Sequence, residues 1–418
     1  MRFADYLAQE WKPALGCTEP ASIAYAASSA AALLSEPASA LSLCCDPRIY
    51  KNCYAVGIPH SGHRVGIRWA LAIGALLHDP SARLECFEQV TPRILEQAGR
   101  LVDQGEIDIE VDPAHEELFI DCRLRAGGHE ARAVIRDEHT RLVQLELDGQ
   151  PQPIEVPRGT AGQASVRAEL ARLRFEELIR LACSLAPPDR EALRDGVELN
   201  LAIARHGLSL FPKRFVDMAS EDPLTRISRQ VCAGVYARMC GEDFSVMSLA
   251  GSGNKGIVCS VPMALFGRET GRSQEAIDEA LALACLVISS TTHFLGTLSA
   301  VCGCSNAAGI GLAAGIVLLE GGGAPEISHA INNMVGNVTG MICDGAKIGC
   351  ALKTMTSVDA AFRSASLAQS GIGIPHSDGI VGEDGLESLA NLGRMATAGM
   401  ASADAEILAI MQEKLRRV

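Results

Sequence analysis

The spacing of apolar residues changes near residue 155, and this change limits the folds that the chain can adopt. Residues 107–149 alternate apolar and polar side chains, with breaks at turn sequences, which is typical of an antiparallel sheet with one solvent-facing side. From about residue 165 the spacing becomes helical. The segment 149–163 is rich in Gly, Pro and Gln, as linkers are. We therefore predict an α+β portion over 1–155 with a mainly antiparallel sheet, followed by an all-helical domain over 165–418.

The second portion is expected to pack through small side chains. Hydrophobic residues make up 48% of the chain but aromatic residues only 4%, so Ala, Leu, Ile, Val and Gly must form the core, which favours closely packed helices over a βαβ array. Helical spacing occurs at about 165–184, 188–206, 223–239, 256–267, 273–292, 305–319, 325–338, 350–369 and 383–417. In the first portion, residues 40–58 fit one or two strands with a turn at Asp46-Pro47.

Charge and cysteine usage restrict partners and location. A net charge of −13 argues against nucleic acid and against an anionic membrane surface as partners. No run of 18 uncharged apolar residues stands apart from glycine and polar residues, so we expect no membrane-spanning helix, and the N-terminus is unlike a signal peptide. Fifteen cysteines, an odd number spread over the chain, fit a reduced, cytoplasmic setting. A small-residue helical domain often has a self-association face, which is compatible with a homo-oligomer.

Four cysteines fall in two short groups, Cys302 with Cys304 and Cys343 with Cys350. They lie just before predicted helices or in glycine-containing turns, where a helix N-terminus favours the negative charge of a thiolate. Gly345 makes a continuous helix between the second pair unfavourable, so we expect this segment to curl. Thiols placed in this way can converge on a metal or a cluster. The alternative is four buried small hydrophobic residues, since free cysteine is often buried.

A fifth cysteine, Cys17, precedes a helix start marked by Thr18, Glu19 and Pro20. The partial positive charge of a helix N-terminus lowers the pKa of a thiol, so this position predicts an easily ionised cysteine. The alternative is a buried cysteine beside an ordinary helix cap.

Two glycine-containing loops lead into predicted helices. The loop at 249–262 can present backbone N–H groups to a carboxylate or phosphate, or it can be a simple capping turn. The loop at 57–62 carries His60 and Ser61, and His63 follows it, but no carboxylate stands at a spacing that would complete a metal site. The other histidines near sheet turns are expected to be solvated: His115, His129 and His139.

Motifs spread over nearly the whole chain match the pattern of a known family. They are GCTEPASIA, GSGNKG, CGCSNAAGIG, NMVGNVTGMICDGAKIGCALK, and SDGIVGEDG with NLGRMATAGM. Together they resemble the L-cysteine desulfidase family, which is related to the alpha domain of iron–sulfur L-serine dehydratases. The resemblance implies a [4Fe–4S] cluster held by three cysteines, which fall here on Cys302, Cys343 and Cys350, with Cys304 as the alternative to Cys302. It also implies that Cys17 is the catalytic proton acceptor.

The resemblance further implies β-elimination from a small amino acid. L-cysteine would give pyruvate, ammonia and sulfide, and L-serine dehydration is the alternative. A cluster with three thiolate ligands leaves one iron open as a Lewis acid, while Cys17 removes the Cα proton. On this interpretation the two loops bind the substrate through Ser252, Gly253 and Asn254 and through Ser61.

Two loops depart from the family pattern. The family usually has G-(I/V)-P-G-T-G where this chain has GIPHSG, so His60 and Ser61 replace a glycine and a threonine. Lys255 stands where the family tends to have Gln or His. We expect both loops to face the substrate, so the departures concern substrate identity more than cluster binding.

Two other functions fit parts of the sequence. Pyridoxal-phosphate-dependent elimination would use Lys347 or Lys353 for the Schiff base and the 251–256 loop for the phosphate. The alternating helix–strand pattern of the large pyridoxal folds is missing, however, and the grouped cysteines would have no role. A non-catalytic cluster-binding sensor, or a relative that only binds amino acids, is the second alternative. The retention of Cys17 beside all the candidate ligands argues against it.

Overall fold

The computed structural model of the protein describes residues 1–115, 117–154, 165–217, 222–296 and 299–415. Residues 155–163 of the predicted linker lie outside this range, and the predicted boundary between the two portions falls there as well.

Short helices and strands alternate in the first portion. They are α1 (Phe3–Glu10), β1 (Trp11–Leu15), α2 (Thr18–Ala31), β2 (Ala40–Cys45), α3 (Pro47–Cys53), α4 (Ile67–Gly74), a 3₁₀ segment (Pro80–Gln89), α5 (Pro92–Gln104), β3 (Glu106–Val111), β4 (Phe119–Ala126), β5 (His129–Arg136), β6 (Leu142–Leu147) and β7 (Gln150–Pro151). Asp46-Pro47, predicted as a turn between strands, instead begins α3. The Asp46 carboxylate accepts hydrogen bonds from the backbone N–H groups of Arg48 (2.8 Å) and Ile49 (3.1 Å), and proline suits the first helical position.

The main sheet has the strand order β3-β2-β4-β5-β6-β7. All of its neighbouring strands are antiparallel except β2 and β3, so the mainly antiparallel sheet predicted from the alternation is confirmed. Helix α2 packs against β4, β5 and α4 and is buried along almost its whole length. A Cβ at Gly74 of α4 would lie only 2.5 Å from the Ala24 Cα, so a glycine and alanines are needed where the two helices meet. This packing fixes the N-terminus of α2, where Cys17 lies.

The second portion is mostly helical, as predicted. Its elements are α6 (Val166–Leu170), α7 (Phe175–Ala182), α8 (Pro187–Ser209), α9 (Lys213–Asp217), α10 (Pro223–Cys240), β8 (Ser245–Leu249), α11 (Gly253–Glu269), α12 (Gln274–Leu295), α13 (Asn306–Leu319), α14 (Ala324–Val338), α15 (Gly349–Gln369), α16 (Gly385–Arg394), a π-helical turn (Met395–Gly399) and α17 (Ala401–Leu415). The strand β8 was not expected from the sequence.

The N-terminal residues join this helical portion through strand pairing. Strand β1 pairs antiparallel with β8, with Trp11 opposite Leu249 and Leu15 opposite Ser245. Phe3 and Tyr6 of α1 are buried in the same hydrophobic core as the helices, whereas α2 belongs to a second core beneath the sheet. The chain therefore passes from the helical core to the sheet at residues 16 and 17, which brings Cys17 to the junction between the two.

Helix α12 lies in the middle of the helical core. In the described part of the chain it is the one helix long and apolar enough to cross a bilayer by length and composition, and 83% of its apolar window is buried inside the protein. It packs along α13, where a Cβ at Gly311 would lie 2.6 Å from the Ala284 carbonyl oxygen. Its apolar composition is thus accounted for by close helix packing.

Candidate active site

The two cysteine groups are held side by side by a short backbone ladder. The Cys302 N–H donates to the Met341 carbonyl oxygen (2.8 Å), and the Cys343 N–H donates to the Ala300 carbonyl oxygen (2.7 Å). Val301 and Ile342 form the bridge between these two bonds. Segments that are about forty residues apart in sequence therefore present their thiols from adjacent backbones.

The segment from Cys343 to Cys350 curls before it becomes helical, as its glycines predicted. Gly345 has a φ of +96°, and a Cβ there would lie 2.1 Å from the Lys51 carbonyl oxygen, so only glycine fits without displacing backbone. Helix α15 begins at Gly349, which places Cys350 in its first turn. Helix α3, which carries Lys51, thus packs directly on this loop.

These loops and the start of α2 line one pocket, which we call the thiol pocket. Its lining residues are Cys17, Thr18, Glu19, Asn52, Arg238, Gly251, Ser252, Asn254, Cys302, Gly303, Cys304, Cys343, Gly345, Ala346 and Cys350. A neighbouring side pocket shares several of these residues, including Glu19, Ser252, Cys304 and Cys343, and adds His139, Lys255 and Thr292 among others. Both pockets lie where the sheet portion meets the helices.

Most of the residues predicted for the site meet in the thiol pocket. Ser252 and Asn254 line it at the start of α11 together with all four grouped cysteines and Cys17. Gly253 packs instead against Arg238. A Cβ at this glycine would lie only 2.5 Å from the arginine Nε, so the contact requires glycine. Ser61 is not brought to either pocket: its hydroxyl donates to the Ile58 carbonyl oxygen (2.6 Å) and accepts from the Arg64 N–H (3.0 Å) within its own loop.

Cys17 is the N-cap residue of α2 and is only 3% exposed. The sequence predicted a lowered thiol pKa at this helix N-terminus, and that prediction is wrong. Burial raises the pKa of Cys17 to about 12, because the low-dielectric surroundings disfavour the thiolate. The positive charge of Arg238 opposes this rise.

Arg238 is the charged neighbour of Cys17, and no local sequence pattern predicts its role. It is 3% exposed in the last turn of α10, donating to the Gly16 carbonyl oxygen (2.6 Å) and to the Asn254 Oδ1 (2.9 Å). Its buried Nε has no hydrogen-bond partner in the described part of the chain. A buried guanidinium with an unused N–H beside a thiol is suited to stabilising a thiolate.

The four grouped thiols differ in how readily they ionise. A hydrogen bond from Cys302 lowers the pKa of Cys304, with help from Ser252 and the charge of Lys255, and the same pairing raises the pKa of Cys302. Burial raises the pKa of Cys343, and it raises that of Cys350 to about 12. Uptake of a metal by such thiols must release protons, because the thiolate is the ligand.

The sulfur donor set has the chemistry of an iron–sulfur cluster site. Over the described ranges, no three His, Cys, Asp or Glu side chains converge closely enough to hold one metal ion. A cluster needs thiolates on separate irons rather than around one point, and an all-thiol donor set is the usual one for clusters. Cys302, Cys343 and Cys350 line a common pocket and influence one another's pKa, so their arrangement fits this group.

Lys255 is a buried lysine at the wall of the side pocket. It is 4% exposed, and its ammonium donates to the Thr292 Oγ1 (3.0 Å) and to the Ala250 carbonyl oxygen (3.3 Å). Burial, with the positive charge of Arg167, lowers the pKa of Lys255 to about 8. A lysine ammonium has three N–H donors, so one remains for an anion in the pocket.

The lowered pKa of Lys255 has a measurable effect on stability. Between pH 8 and 10.5 the unfolded chain binds more protons than the folded chain, so this lysine destabilises the fold most below pH 8 and less as the pH rises. We expect Lys255→Met to stabilise the metal-free protein by about 1–3 kcal/mol at pH 7, and we expect the gain to shrink at pH 10. The free energy of unfolding of both proteins, measured with urea at pH 7 and pH 10, tests this expectation.

A second buried lysine provides the control for this prediction. Lys51 is paired with Asp404 (2.6 Å), so Lys51→Met leaves a carboxylate without its partner and should destabilise the protein. If Lys255→Met raised the free energy of unfolding equally at both pH values, or lowered it at pH 7, the lowered pKa of Lys255 would be contradicted.

Two further pocket residues come from the sheet portion and were not predicted. Asn52 of α3 lines both pockets, and its side chain donates to the Arg48 carbonyl oxygen (2.9 Å). His139 lines the side pocket with a buried Nε2, so the prediction that it is a solvated turn residue is wrong. Both placements depend on contacts between distant segments, which no local pattern records.

Comparison with known proteins supports a catalytic relationship. Residues 160–409 match the family model described as serine dehydratase alpha chain. The chain is also 39% identical to a UPF0597 protein of Oleidesulfovibrio alaskensis over 424 residues, covering 99% of this chain and 98% of the relative. A UPF0597 protein of Geobacter sulfurreducens is 37% identical, with 99% and 98% covered.

These matches confirm the relationship to serine dehydratases that the motifs implied. The names of the relatives state no reaction, so the assignment to L-cysteine desulfidases stays a prediction. The matched family model includes the loops of all four grouped cysteines and of Lys255, and the full-length relatives extend the likeness to the sheet portion and Cys17. The chain belongs to the serine dehydratase alpha chain family.

Proposed function

We propose that the protein is an iron–sulfur-dependent lyase that removes the β-substituent of a small amino acid. L-cysteine is the substrate we favour, giving pyruvate, ammonia and sulfide. The observation that carries the proposal is the thiol pocket, in which Cys17 faces Cys302, Cys343 and Cys350 although it comes from the opposite end of the chain. A proton acceptor and a set of cluster ligands in one pocket are the two parts that such an elimination needs.

The proposed cluster is held by Cys302, Cys343 and Cys350, with Cys304 as the alternative to Cys302. When bound, it would supply a Lewis-acidic iron that makes the β-thiol or β-hydroxyl of the substrate a better leaving group. The curled loop at Gly345 and the ladder at Val301 and Ile342 position these cysteines.

Cys17 takes the proton from the substrate Cα, and the β-substituent departs with its bonding electrons. The resulting enamine tautomerises to an imine, and water hydrolyses this imine to pyruvate and ammonia. Arg238 favours the thiolate form of Cys17 that accepts the proton, because its charge opposes the rise in the pKa of Cys17 that burial causes. Burial of the thiol also keeps bulk water away from the reacting carbon.

The substrate carboxylate is held by the loop that opens α11. Ser252 and Asn254 line the thiol pocket there, and the Lys255 ammonium lies at the adjoining wall with one N–H to spare. A lysine on a desolvated wall attracts an anion more strongly than one in water.

The pyridoxal alternative is less compatible with the side-chain contacts. Lys347 and Lys353 are both ion-paired with Asp344, and Lys353 also donates to the Ile342 carbonyl oxygen (2.9 Å). Both ammonium groups bind the backbone or side chains of the cysteine loop, so neither lysine is available to form a Schiff base.

Anaerobic loading with iron and sulfide, followed by assays with L-cysteine and L-serine, tests the proposal. We expect a brown protein with broad visible absorbance that fades in air, and pyruvate formation with sulfide release from L-cysteine. A colourless protein after loading would contradict the cluster, and a sharp pyridoxal band would favour the alternative cofactor. A coloured protein inactive on both amino acids would favour a cluster-binding sensor, and pyruvate from L-serine alone would make the protein a serine dehydratase.

A further inference from the structure

The ring of His139 is a polar group at the wall of the side pocket. His139 follows β5 in the turn toward β6, and its backbone carbonyl accepts a hydrogen bond from the Ser22 hydroxyl of α2 (2.6 Å). This bond ties the turn to the helix that begins at Cys17. The ring Nε2 is buried and has no hydrogen-bond partner among the residues that the structure describes, and the residue lines the side pocket.

A buried nitrogen without a partner costs the fold free energy, so its retention at a pocket wall indicates a ligand. Burial lowers the pKa of His139, despite the opposing charges of Glu19 and Asp46, so the ring is neutral near pH 7. A neutral imidazole has one nitrogen that donates and one that accepts. Nε2 can therefore accept a hydrogen bond from a donor that enters the pocket.

The charges around the side pocket show which donor is favoured. Glu19 lines the pocket near His139, and its carboxylate raises the proton affinity of the ring. Lys255 lies at the part of the wall built by α11, next to Gly303. A carboxylate on one wall and an ammonium on the other complement a zwitterion, with its ammonium toward Glu19 and His139 and its carboxylate toward Lys255.

We propose that His139 is a specificity-determining residue that accepts a hydrogen bond at Nε2 from the α-ammonium group of the substrate, with Glu19 as the complementary charge. The proposal rests on the function proposed above and narrows its substrate class to molecules with a free α-ammonium group. A carboxylic acid without a donor on Cα, such as propionate, lacks the hydrogen bond that His139 accepts.

Calorimetric titration of the iron-loaded protein under anaerobic conditions tests this assignment with two unreactive ligands. L-alanine has both the ammonium and the carboxylate but a methyl group that cannot leave, and propionate lacks only the ammonium. We expect wild type to bind L-alanine more tightly than propionate. His139→Phe should weaken L-alanine binding about 10- to 100-fold, the range for a lost charge-assisted hydrogen bond, and leave propionate binding unchanged.

The variants are chosen so that folding does not obscure the result. Phenylalanine removes a buried nitrogen that finds no hydrogen-bond partner within the described residues, so His139→Phe should fold normally. His139→Gln keeps an acceptor and should retain part of the affinity for L-alanine. His129→Phe is the matched control, because His129 is an exposed histidine at the start of β5 that pairs with Asp148 (2.6 Å), and it should change neither ligand.

Ligand binding tests the role of His139, and turnover of the amino acids tests the proposed reaction. Unchanged L-alanine binding by His139→Phe, in a protein whose wild type consumes L-cysteine, would overturn the role of His139 alone. Equal loss of both ligands would show a structural role and would also overturn it. A wild type that consumes neither amino acid, yet shows the His139-dependent preference for L-alanine, would overturn the reaction and keep the site. A wild type that consumes L-cysteine but binds neither ligand would overturn the role of His139 and keep the reaction.

Discussion

Serine in place of Cys343 or Cys350 is expected to leave the protein without an iron–sulfur cluster and without detectable turnover. Thiolates are the ligands of such clusters, and a hydroxyl that hardly ionises near neutral pH is a poor substitute. Iron and acid-labile sulfide per chain, measured after anaerobic loading of each variant, give the result directly. The expected change is from a full cluster to background iron.

Matched cysteine variants separate ligand loss from loss of stability. Cys232→Ser is the control, because Cys232 is buried in α10 and lines neither pocket, so this variant should keep its iron at a small cost in stability. Cys302→Ser and Cys304→Ser, compared side by side, identify which of the two is the third ligand. Full iron in both Cys343→Ser and Cys350→Ser would contradict the assignment of the cluster.

Cys17→Ser is expected to lower turnover about 10²- to 10⁴-fold while the iron content stays at the wild-type level. This is the usual range for losing a positioned proton acceptor, and Cys17 is not a cluster ligand in our account. The substitution is nearly isosteric, so its cost in stability should be only about 1 kcal/mol. Iron content and turnover are measured on the same sample.

The result for Cys17 distinguishes three roles. Full iron with near-normal turnover would show a merely buried cysteine and remove it from the mechanism. Loss of iron would make Cys17 a ligand instead of a base. Arg238, which belongs to another helix, opposes the effect of burial on the pKa of Cys17. The activity that Cys17→Ser removes therefore also depends on this arginine.

The helices were predictable because their sequences carry local spacing. The interval 223–239 was predicted for a helix observed at Pro223–Cys240, and 305–319 for one observed at Asn306–Leu319. The strand Ser245–Leu249 was not predictable, because its partner Trp11–Leu15 lies more than two hundred residues away. Pairing between distant segments produces no periodic spacing of apolar residues in the sequence of either segment.

The same distinction applies to the site. The positions of the grouped cysteines and of Cys17 beside helix starts follow from glycines and caps that act over a few residues. The raised pKa of Cys17 could not be predicted, because the burial that raises it comes from segments far along the chain. Arg238 and His139 were missed for the same reason, since their neighbours in the pocket come from other parts of the fold.

Pyruvate formation as a function of iron content shows whether the protein is an iron-dependent lyase. The protein is purified anaerobically, loaded to graded iron and sulfide contents, freed of excess reagents and assayed with L-cysteine. The account predicts no turnover without iron, a rate that rises with iron up to about four irons per chain, and one sulfide released per pyruvate. Equal pyruvate formation by the metal-free protein, or none at full iron content, would contradict it.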